Sequence, residues 1–327
     1  MKKWNGYLNG INLGGWVSQC EHTISHYESF ISEDDIKKIA EAGYDHVRLP
    51  IDYNLVQKDD GSFIEANFKY IDNCIIWAKN NNLNMVLDLH KTLGYSFDDG
   101  QEVAEFFRND KYIDMFISLW DELAKRYAKY HEMLAFELLN EVVEESDNAP
   151  WMKIAERTVN TIRKHSKDVK LLIGSYWNNS VLTVKHIVKP FDENIIYNFH
   201  CYEPLLFTHQ GAYWIEGMPE DLRVPYPVEL KEYNEKCDMF GENFHFTNWA
   251  IGEDGFNIDY YERLFAEAIK YAEEQDVMLY CGEYGVIDRA DEESKKRWFT
   301  DINKVFDKYG IGKAVWNYKQ LDFGIFG

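Results

Sequence analysis

The sequence predicts an α/β fold of the (β/α)8 TIM barrel type, and three observations support this. Eight short apolar runs recur along the 327 residues, with amphipathic helical patterns between them. Several runs are too apolar to alternate cleanly, which is typical of parallel strands buried on both faces. Most runs begin 36 to 38 residues after the previous one, about one strand–helix unit. A doubly wound open sheet is the alternative, but no G-x-G-x-x-G motif follows the first run.

The predicted strands and helices alternate in chain order. The strands are GINLGGW (10–16), HVRLPI (46–51), NMVLDLH (84–90), LAFELLNE (134–141), KLLIGSY (170–176), IIYNFHCY (195–202), VMLYCGEYG (277–285) and AVWNYK (314–319). The clearest helical patterns cover 32–43, 66–82, 115–130 and 291–310. In the first of these, Ser32 is a capping residue and Gly43 a stop signal.

One spacing is much longer than all the others. The sixth and seventh runs begin at residues 195 and 277, which is 82 residues apart and roughly twice a normal unit. The excess, 204–257, is rich in Tyr, Phe, Pro and Glu and predicts an inserted subdomain near the active-site face. No linker or repeat divides the chain, so we predict a single catalytic domain over 1–327. The sequence stops just past the eighth run without an eighth helix, which suggests a longer native chain.

Composition excludes several classes of partner. The 35 basic and 56 acidic side chains give a net charge of −21, which repels nucleic acid. No run approaches the roughly 18 apolar residues of a membrane-spanning helix, so we expect no membrane partner. The start has no apolar h-region of a secretory signal, which fits either a cytoplasmic protein or a secreted one whose leader is removed. Five scattered cysteines predict no disulfide framework, and we expect a monomer.

The candidate site consists of polar residues at strand ends, because in these barrels the carboxyl ends of the strands face the active site. These residues are Arg48, His90, Asn140, Glu141, His200, Tyr202, Glu283 and Trp316. Two carboxylates in such a setting are typical of glycosidic bond cleavage. One carboxyl must give a proton to the leaving oxygen while the other is ionised, and we assign Glu141 as acid/base and Glu283 as nucleophile. Arg48 and Tyr202 are predicted to hold Glu283 ionised, and Asn140 to bond the sugar 2-hydroxyl.

Other residues have structural or weaker functional interpretations. Glu137 points inward four residues before Glu141, roughly 13 Å deeper at about 3.3 Å per residue, and is predicted to pair with a buried cation. His90 and His200 with Glu283 form a possible zinc trio, but nothing shows the tight spacing of a metal site, so we expect no metal and no cofactor.

Aromatic residues make up 16% of the chain, and some are predicted to stack on sugars. Trp316 is predicted to form the floor of a sugar subsite. Trp214, in the insertion, is the first loop candidate for a sugar contact on the leaving-group side, and Trp177 and Trp249 are weaker ones.

The strand motifs GINLGGW, HVRLP, LDLH, FELLNE, YNFHCY, CGEYGV and AVWNY resemble, in this order, those of glycoside hydrolase family 5. The similarity spans residues 10 to 319 and is closest to bacterial endoglucanase C-type cellulases, which likewise carry an insertion after strand six. The resemblance implies a retaining endo-β-1,4-glucanase acting on cellulose-type or mixed-linkage β-glucans. It also implies family roles for the eight strand-end residues. An exo-β-1,3-glucosidase, a β-mannanase and a non-catalytic glycan-binding barrel remain alternatives.

Overall fold

A computed structural model describes residues 1–98, 104–238 and 255–326, and the fold within them is a closed barrel. Eight parallel strands pair in chain order, and the last strand closes on the first. The strands are β1 (Gly10–Asn12), β2 (His46–Asp52), β3 (Asn84–Lys91), β4 (Leu134–Glu137), β5 (Lys170–Ile173), β6 (Ile195–Cys201), β7 (Met278–Tyr284) and β8 (Gly312–Val315). Each predicted run overlaps one strand, so the (β/α)8 prediction is confirmed.

Several predicted strands extend too far at their carboxyl ends. The run at 134–141 leaves the regular sheet after Glu137, although its main chain stays hydrogen-bonded to both neighbours. Leu138 N donates to Leu172 O at 3.2 Å, and Asn140 N donates to Leu89 O at 3.1 Å. The apolar residues beyond the strand are therefore buried as a fixed loop that positions the residues following it.

Helices cover the outside of the barrel. Within the described ranges they are α1 (Ile24–Ser29), α2 (Glu33–Glu41), α3 (Phe68–Asn80), α4 (Asp110–Tyr127), α5 (Glu145–Ile162), α6 (Tyr176–Asn179), α7 (Leu205–Thr208), α8 (Leu230–Asp238), α9 (Ile258–Glu274) and α10 (Glu292–Tyr309). Short 3-10 helices lie at Tyr53–Leu55, Glu65–Asn67, Glu105–Arg108, Ala128–Tyr130 and Val181–His186.

All four predicted helices are present as α2, α3, α4 and α10. Ser32 caps α2 in a reciprocal capping box with Asp35. Gly43 follows the end of this helix at φ +89°, a conformation that glycine adopts without steric cost.

The barrel interior is built in layers, because side chains two residues apart on a strand point to the same side. At one end, Trp4 and Tyr7 stack with ring centroids 3.8 Å apart and close an apolar layer. Members of that layer on the strands are Val86, Ala135, Leu172, Ile196, Tyr280 and Ala314. On four of the strands, the side chain two residues further along is polar and still buried. These side chains are Arg48 (two residues after His46), Asp88 (after Val86), Glu137 (after Ala135) and Asn198 (after Ile196). This polar layer lies between the closed end and the carboxyl ends of the strands.

The described part of the predicted insertion contains α7, α8 and a bridge between Val228 and Phe256. Its members Phe244, Phe246 and Trp249 lie outside the described residues. We propose that the whole chain, 1–327, is one catalytic domain with 204–257 as the insertion. No helix in the described ranges is both long and apolar enough to cross a membrane. The same residues contain no disulfide.

Candidate active site

Glu283, the penultimate residue of β7, is surrounded by donors. Arg48 Nη1 donates to its Oε1 at 2.8 Å, and the Tyr202 hydroxyl donates to its Oε2 at 2.9 Å. Burial by itself raises the pKa of this carboxyl. The charges of His200, Arg48 and His90 and the Tyr202 hydrogen bond outweigh that effect and lower the pKa of Glu283 to about 2. Arg48 and Tyr202 thus make the contacts predicted for them, and Glu283 is an anion at neutral pH.

Arg48 contacts Glu283 from deeper inside the barrel. The sequence interpretation placed Arg48 at a strand end, but it is the third residue of seven in β2 and belongs to the buried polar layer. Its length brings the guanidinium to the site from mid-strand. Arg48 Nε and Nη2 donate to Glu137 at 2.7 and 2.8 Å, which confirms Glu137 as the partner of a buried cation. Asp88 adds a second ion pair at 3.0 Å. These carboxylates fix the guanidinium in one orientation.

Glu141 follows β4 on the loop that Asn140 anchors. Its Oε1 lies 2.6 Å from His200 Nδ1, and its Oε2 accepts from Asn178 Nδ2 at 2.7 Å. Burial lowers the pKa of His200, but Glu283 and the hydrogen bond to Glu141 raise it overall. His200 Nδ1 is also only 3.8 Å from Glu283 Oε2, so the imidazole lies between the two carboxylates. His200 is therefore a shared neighbour of both catalytic candidates.

Asn178 is a contact of Glu141 that sequence reasoning missed. Asn178 lies in α6, where Trp177, Asn178 and Asn179 have φ of 53°, 53° and 55°, an uncommon left-handed run of non-glycine residues. Backbone bonds of 3.0 Å from Trp177 N to Val143 O and from Asn178 N to Val142 O tie this turn to the Glu141 loop. The asparagine pair in YWNNS was the available signal, since asparagine tolerates this conformation. The turn aims the Asn178 amide at the carboxyl.

The remaining predicted site residues are Asn140, His90 and Trp316. Asn140 Oδ1 accepts from Arg48 Nη2 at 2.7 Å. Its buried Nδ2 has no hydrogen-bond partner among the described residues, which leaves a donor for a substrate hydroxyl. His90 Nδ1 lies 2.6 Å from Asp88, and the His90 ring lies parallel to Trp316 with centroids 5.7 Å apart and an interplanar angle of 2°. Trp316, the residue after β8, forms part of the cavity wall with His90.

The two carboxylates share an open cavity of about 760 Å³ at the carboxyl ends of the strands. One oxygen of Glu141, one of Glu283 and a ring nitrogen of His200 lie within 4.8 Å of one another. This grouping resembles a metal site, but Arg48, Tyr202 and Asn178 already donate to the carboxylates. Those hydrogen bonds fit an organic substrate better than a cation. Paired carboxyls about 5–5.5 Å apart suit double displacement, whereas single displacement needs a wider gap.

Two of the three loop tryptophans predicted to contact sugars lie at the rim of this cavity. Trp177 and Trp214 both line it and are 51% and 45% exposed, so each has ring surface available for stacking. Trp214 lies near His209 and Phe323, with centroid separations of 6.2 and 6.5 Å. Because Phe323 follows β8, this contact is on the Trp316 side of the cleft. The leaving-group side prediction for Trp214 stays a prediction, and Trp249 lies outside the described residues.

A closed (β/α)8 barrel with two adjacent carboxylates, one of them kept ionised by a buried arginine, defines a hydrolase of glycosidic bonds. The chain belongs to the cellulase family of glycoside hydrolases, family 5. Residues 8–322 match the family model described as Cellulase (glycosyl hydrolase family 5).

Known proteins with similar sequences and folds support the same family. The chain is 44% identical over 313 residues to Cellodextrinase A of Ruminococcus flavefaciens, covering 96% of this chain and 86% of the relative. It is 40% identical over 324 residues to Endoglucanase C of Acetivibrio thermocellus, covering 97% of this chain and 92% of the relative. The crystal structure of the clostridial cellulose synthase subunit Z of Clostridioides difficile is 25% identical, with a TM-score of 0.79 over 98% of this chain and 94% of that one.

Proposed function

We propose that this chain is a retaining endo-β-1,4-glucanase that cleaves cellulose-type or mixed-linkage β-glucans. The observation that carries the proposal is the pair Glu141 and Glu283, whose oxygens lie within 4.8 Å in an open cavity. Relatives at 40–44% identity bear the names Endoglucanase C and Cellodextrinase A, which supports β-1,4-linked glucans as the substrate class. The second of these names also favours short cello-oligosaccharides as a candidate substrate.

In the first step, Glu283 attacks the anomeric carbon and Glu141 gives a proton to the leaving oxygen. Glu283 suits this role because its depressed pKa keeps it ionised, while Arg48 and Tyr202 hold one oxygen each. The Asn140 amide donates to the 2-hydroxyl of the sugar under attack. Such bonds strengthen as positive charge develops on the ring in the transition state.

In the second step, water replaces the leaving group, and Glu141 takes a proton from it. The water attacks the anomeric carbon from the face that the leaving group has vacated, and Glu283 departs. Two inversions restore the β configuration. Asn178 and His200 keep the Glu141 carboxyl in one orientation through both steps.

Stereochemistry tests this mechanism directly. A proton NMR time course on a cello-oligosaccharide is expected to show β-anomer first, followed by mutarotation. An α-anomer as first product contradicts the pairing of Glu141 with Glu283 as acid/base and nucleophile.

Two alanine variants separate the carboxylate roles. Glu283→Ala is expected to abolish turnover on every substrate, with azide giving an α-glycosyl azide because it attacks from the vacated nucleophile side. Glu141→Ala loses proton donation, worth roughly 10²–10⁴-fold, but forms the glycosyl-enzyme readily from an activated aryl cellobioside. Azide then gives the β-azide. Glu132→Ala, exposed just before the amino end of β4, is the matched control. Equal losses of both variants on both substrate types contradict the assignment.

A product profile tests the substrate class. Barley β-glucan, carboxymethylcellulose and cellopentaose are expected to be cleaved, and laminarin and mannan poorly. Cleavage of cellopentaose without a fall in the viscosity of carboxymethylcellulose favours the short-chain candidate. Preferential cleavage of laminarin or mannan favours the exo-β-1,3-glucosidase or β-mannanase alternative.

A further inference from the structure

The acid/base candidate Glu141 lies on a buried loop and not on a strand. β4 ends at Glu137, and residues 138–142 stay buried after the regular strand has ended. A buried main chain outside regular structure needs hydrogen-bond partners from elsewhere, because an enclosed carbonyl or amide without a partner destabilises the fold. The side chains that supply these partners therefore help to decide where the Glu141 carboxyl points.

The Tyr95 hydroxyl supplies two of these partners at once. It donates to the Glu141 carbonyl oxygen at 2.8 Å and accepts from the Val143 amide at 3.0 Å. One oxygen atom thus bridges two positions of the loop, and the acid/base candidate occupies the first of them. Burial raises the pKa of the Tyr95 hydroxyl, so this group stays protonated and keeps the donor that the Glu141 carbonyl uses.

Tyr95 is itself held firmly in its own segment, the turn that follows β3. Thr92 N donates to Tyr95 O at 3.2 Å, and Tyr95 N donates to Thr92 O at 3.0 Å. Gly94, inside this turn, has φ +80°, which glycine adopts without steric cost. The Tyr95 ring packs edge-on against Phe107 with centroids 4.9 Å apart, and Tyr95 is 8% exposed. A hydroxyl on a ring that is enclosed in this way has a defined position.

The α6 turn holds the same loop from the opposite side. Its backbone amides donate to the carbonyls of Val142 and Val143, and the Asn178 side chain donates to the Glu141 carboxyl. Tyr95 follows β3 and α6 follows β5, which are the two neighbours of β4 in the barrel. The α6 turn therefore restrains the carboxyl directly, whereas Tyr95 restrains the main chain from which the carboxyl extends.

We propose that Tyr95 is a positioning residue for the acid/base Glu141, an inference that rests on the proposed function. Its hydroxyl fixes the Glu141 main chain so that the carboxyl meets the leaving oxygen at hydrogen-bonding distance. Tyr95 is absent from the described residues that line the cavity, so it acts through Glu141 and not on the substrate. Proton donation needs the carboxyl within about 2.6–3.2 Å of the oxygen, and a displacement of about 1 Å can cost ~10²-fold in rate.

Tyr95→Phe removes the hydroxyl and keeps the ring. The assay is kcat/KM for a series of aryl cellobiosides whose phenol leaving groups range from activated to poor. An activated phenolate leaves without a proton, so kcat/KM for the most activated member should stay within about twofold of wild type. For the poorest leaving group it should fall ~10–100-fold, because that group needs the proton from Glu141.

The ratio of the two kcat/KM values does not depend on the fraction of enzyme that is folded. The test therefore holds even if Tyr95→Phe is less stable than wild type. A fall by the same factor across the whole series marks a structural role and overturns the proposal.

Tyr127→Phe is the matched control for loss of a buried tyrosine hydroxyl. Tyr127, the last residue of α4, is 3% exposed and donates to Asp72 Oδ1 at 2.9 Å on the outside of the barrel. Its melting temperature should fall as that of Tyr95→Phe does, but its dependence on the leaving group should follow wild type. If Tyr127→Phe becomes as sensitive to the leaving group as Tyr95→Phe, lost stability is the cause and the proposal is overturned.

A double variant tests the route of the effect. If Tyr95 acts through the Glu141 carboxyl, adding Tyr95→Phe to Glu141→Ala should change kcat/KM for the poor leaving group by less than about twofold. A further loss as large as that in the single variant shows that Tyr95 acts by another route and overturns the proposal.

The same variants separate the positioning role from the proposed function. If Glu141→Ala becomes more sensitive to the leaving group and Tyr95→Phe does not, the positioning role is wrong and the function stands. If Glu141→Ala keeps the sensitivity of wild type, or wild type cleaves no member of the series, the proposed function is wrong and the positioning role falls with it.

Discussion

Replacing Tyr202 by phenylalanine removes one hydrogen bond to Glu283 and keeps the ring in place. The hydroxyl donates to Glu283 Oε2 at 2.9 Å in a buried site and is one of the causes that lower the Glu283 pKa to about 2. A hydrogen bond to a charged group contributes about 1.5–3 kcal/mol, which corresponds to about one to two pKa units. The pKa of Glu283 in Tyr202→Phe should therefore rise to roughly 3–4.

The sign of the effect on activity follows from the nucleophile role proposed for Glu283. The nucleophile must be ionised, so kcat/KM falls as pH falls through its pKa, and a higher pKa moves the acid limb to higher pH. At pH 7 Glu283 stays ionised in both proteins, so Tyr202→Phe should lose little activity there through protonation.

The assay is kcat/KM for an activated aryl cellobioside from about pH 2.5 to 8, with activity after return to neutral pH as a check on folding. In wild type, the fall in kcat/KM caused by protonation of Glu283 should lie at or below the acid end of this pH range. In Tyr202→Phe, this fall should move up into the measured range. Tyr213→Phe, at a residue that is 70% exposed beside Trp214, is the control and should follow wild type. An acid limb that is unchanged or moves to lower pH refutes the electrostatic account of Glu283.

Three further predictions concern neighbouring residues. Asn178→Ala should lower kcat on cellopentaose ~10–100-fold by releasing Glu141, while glycosylation by an activated aryl cellobioside is spared. Trp214→Ala should slow cleavage of polysaccharide more than that of an aryl cellobioside, whereas equal loss with a lower melting temperature marks a packing role. Because the Glu283 pKa is lowered on folding, its stabilisation is present above the unfolded pKa of about 4.5 and lost as pH falls towards 2. The melting temperature of Glu283→Gln should therefore fall less than that of wild type over this pH range.

Each of these has a contrary outcome. If Asn178→Ala loses equal activity on cellopentaose and on the aryl cellobioside, the substitution acts through folding or through Glu283 rather than through Glu141. A melting temperature of Glu283→Gln that falls as steeply with acid as that of wild type removes Glu283 as a source of acid sensitivity. Glu235→Gln, an exposed position on α8, controls for loss of a glutamate.

The sequence by itself determined the barrel, its strand order and the central carboxylates. Apolar runs at regular spacing predict strands because burial on both faces requires them, and polar residues such as Glu283 and His200 stand out at their ends. The two-residue period of a strand also placed Glu137 inside and below Glu141. These inferences need only information that is local in the chain.

Contacts across the barrel were decided by the tertiary structure alone. Arg48 meets Glu283 from a position 235 residues earlier, and whether a mid-strand side chain reaches the site depends on strand register and side-chain length. Asn178 meets Glu141 because a left-handed turn bonds to a loop from another strand, which residue periodicity does not encode.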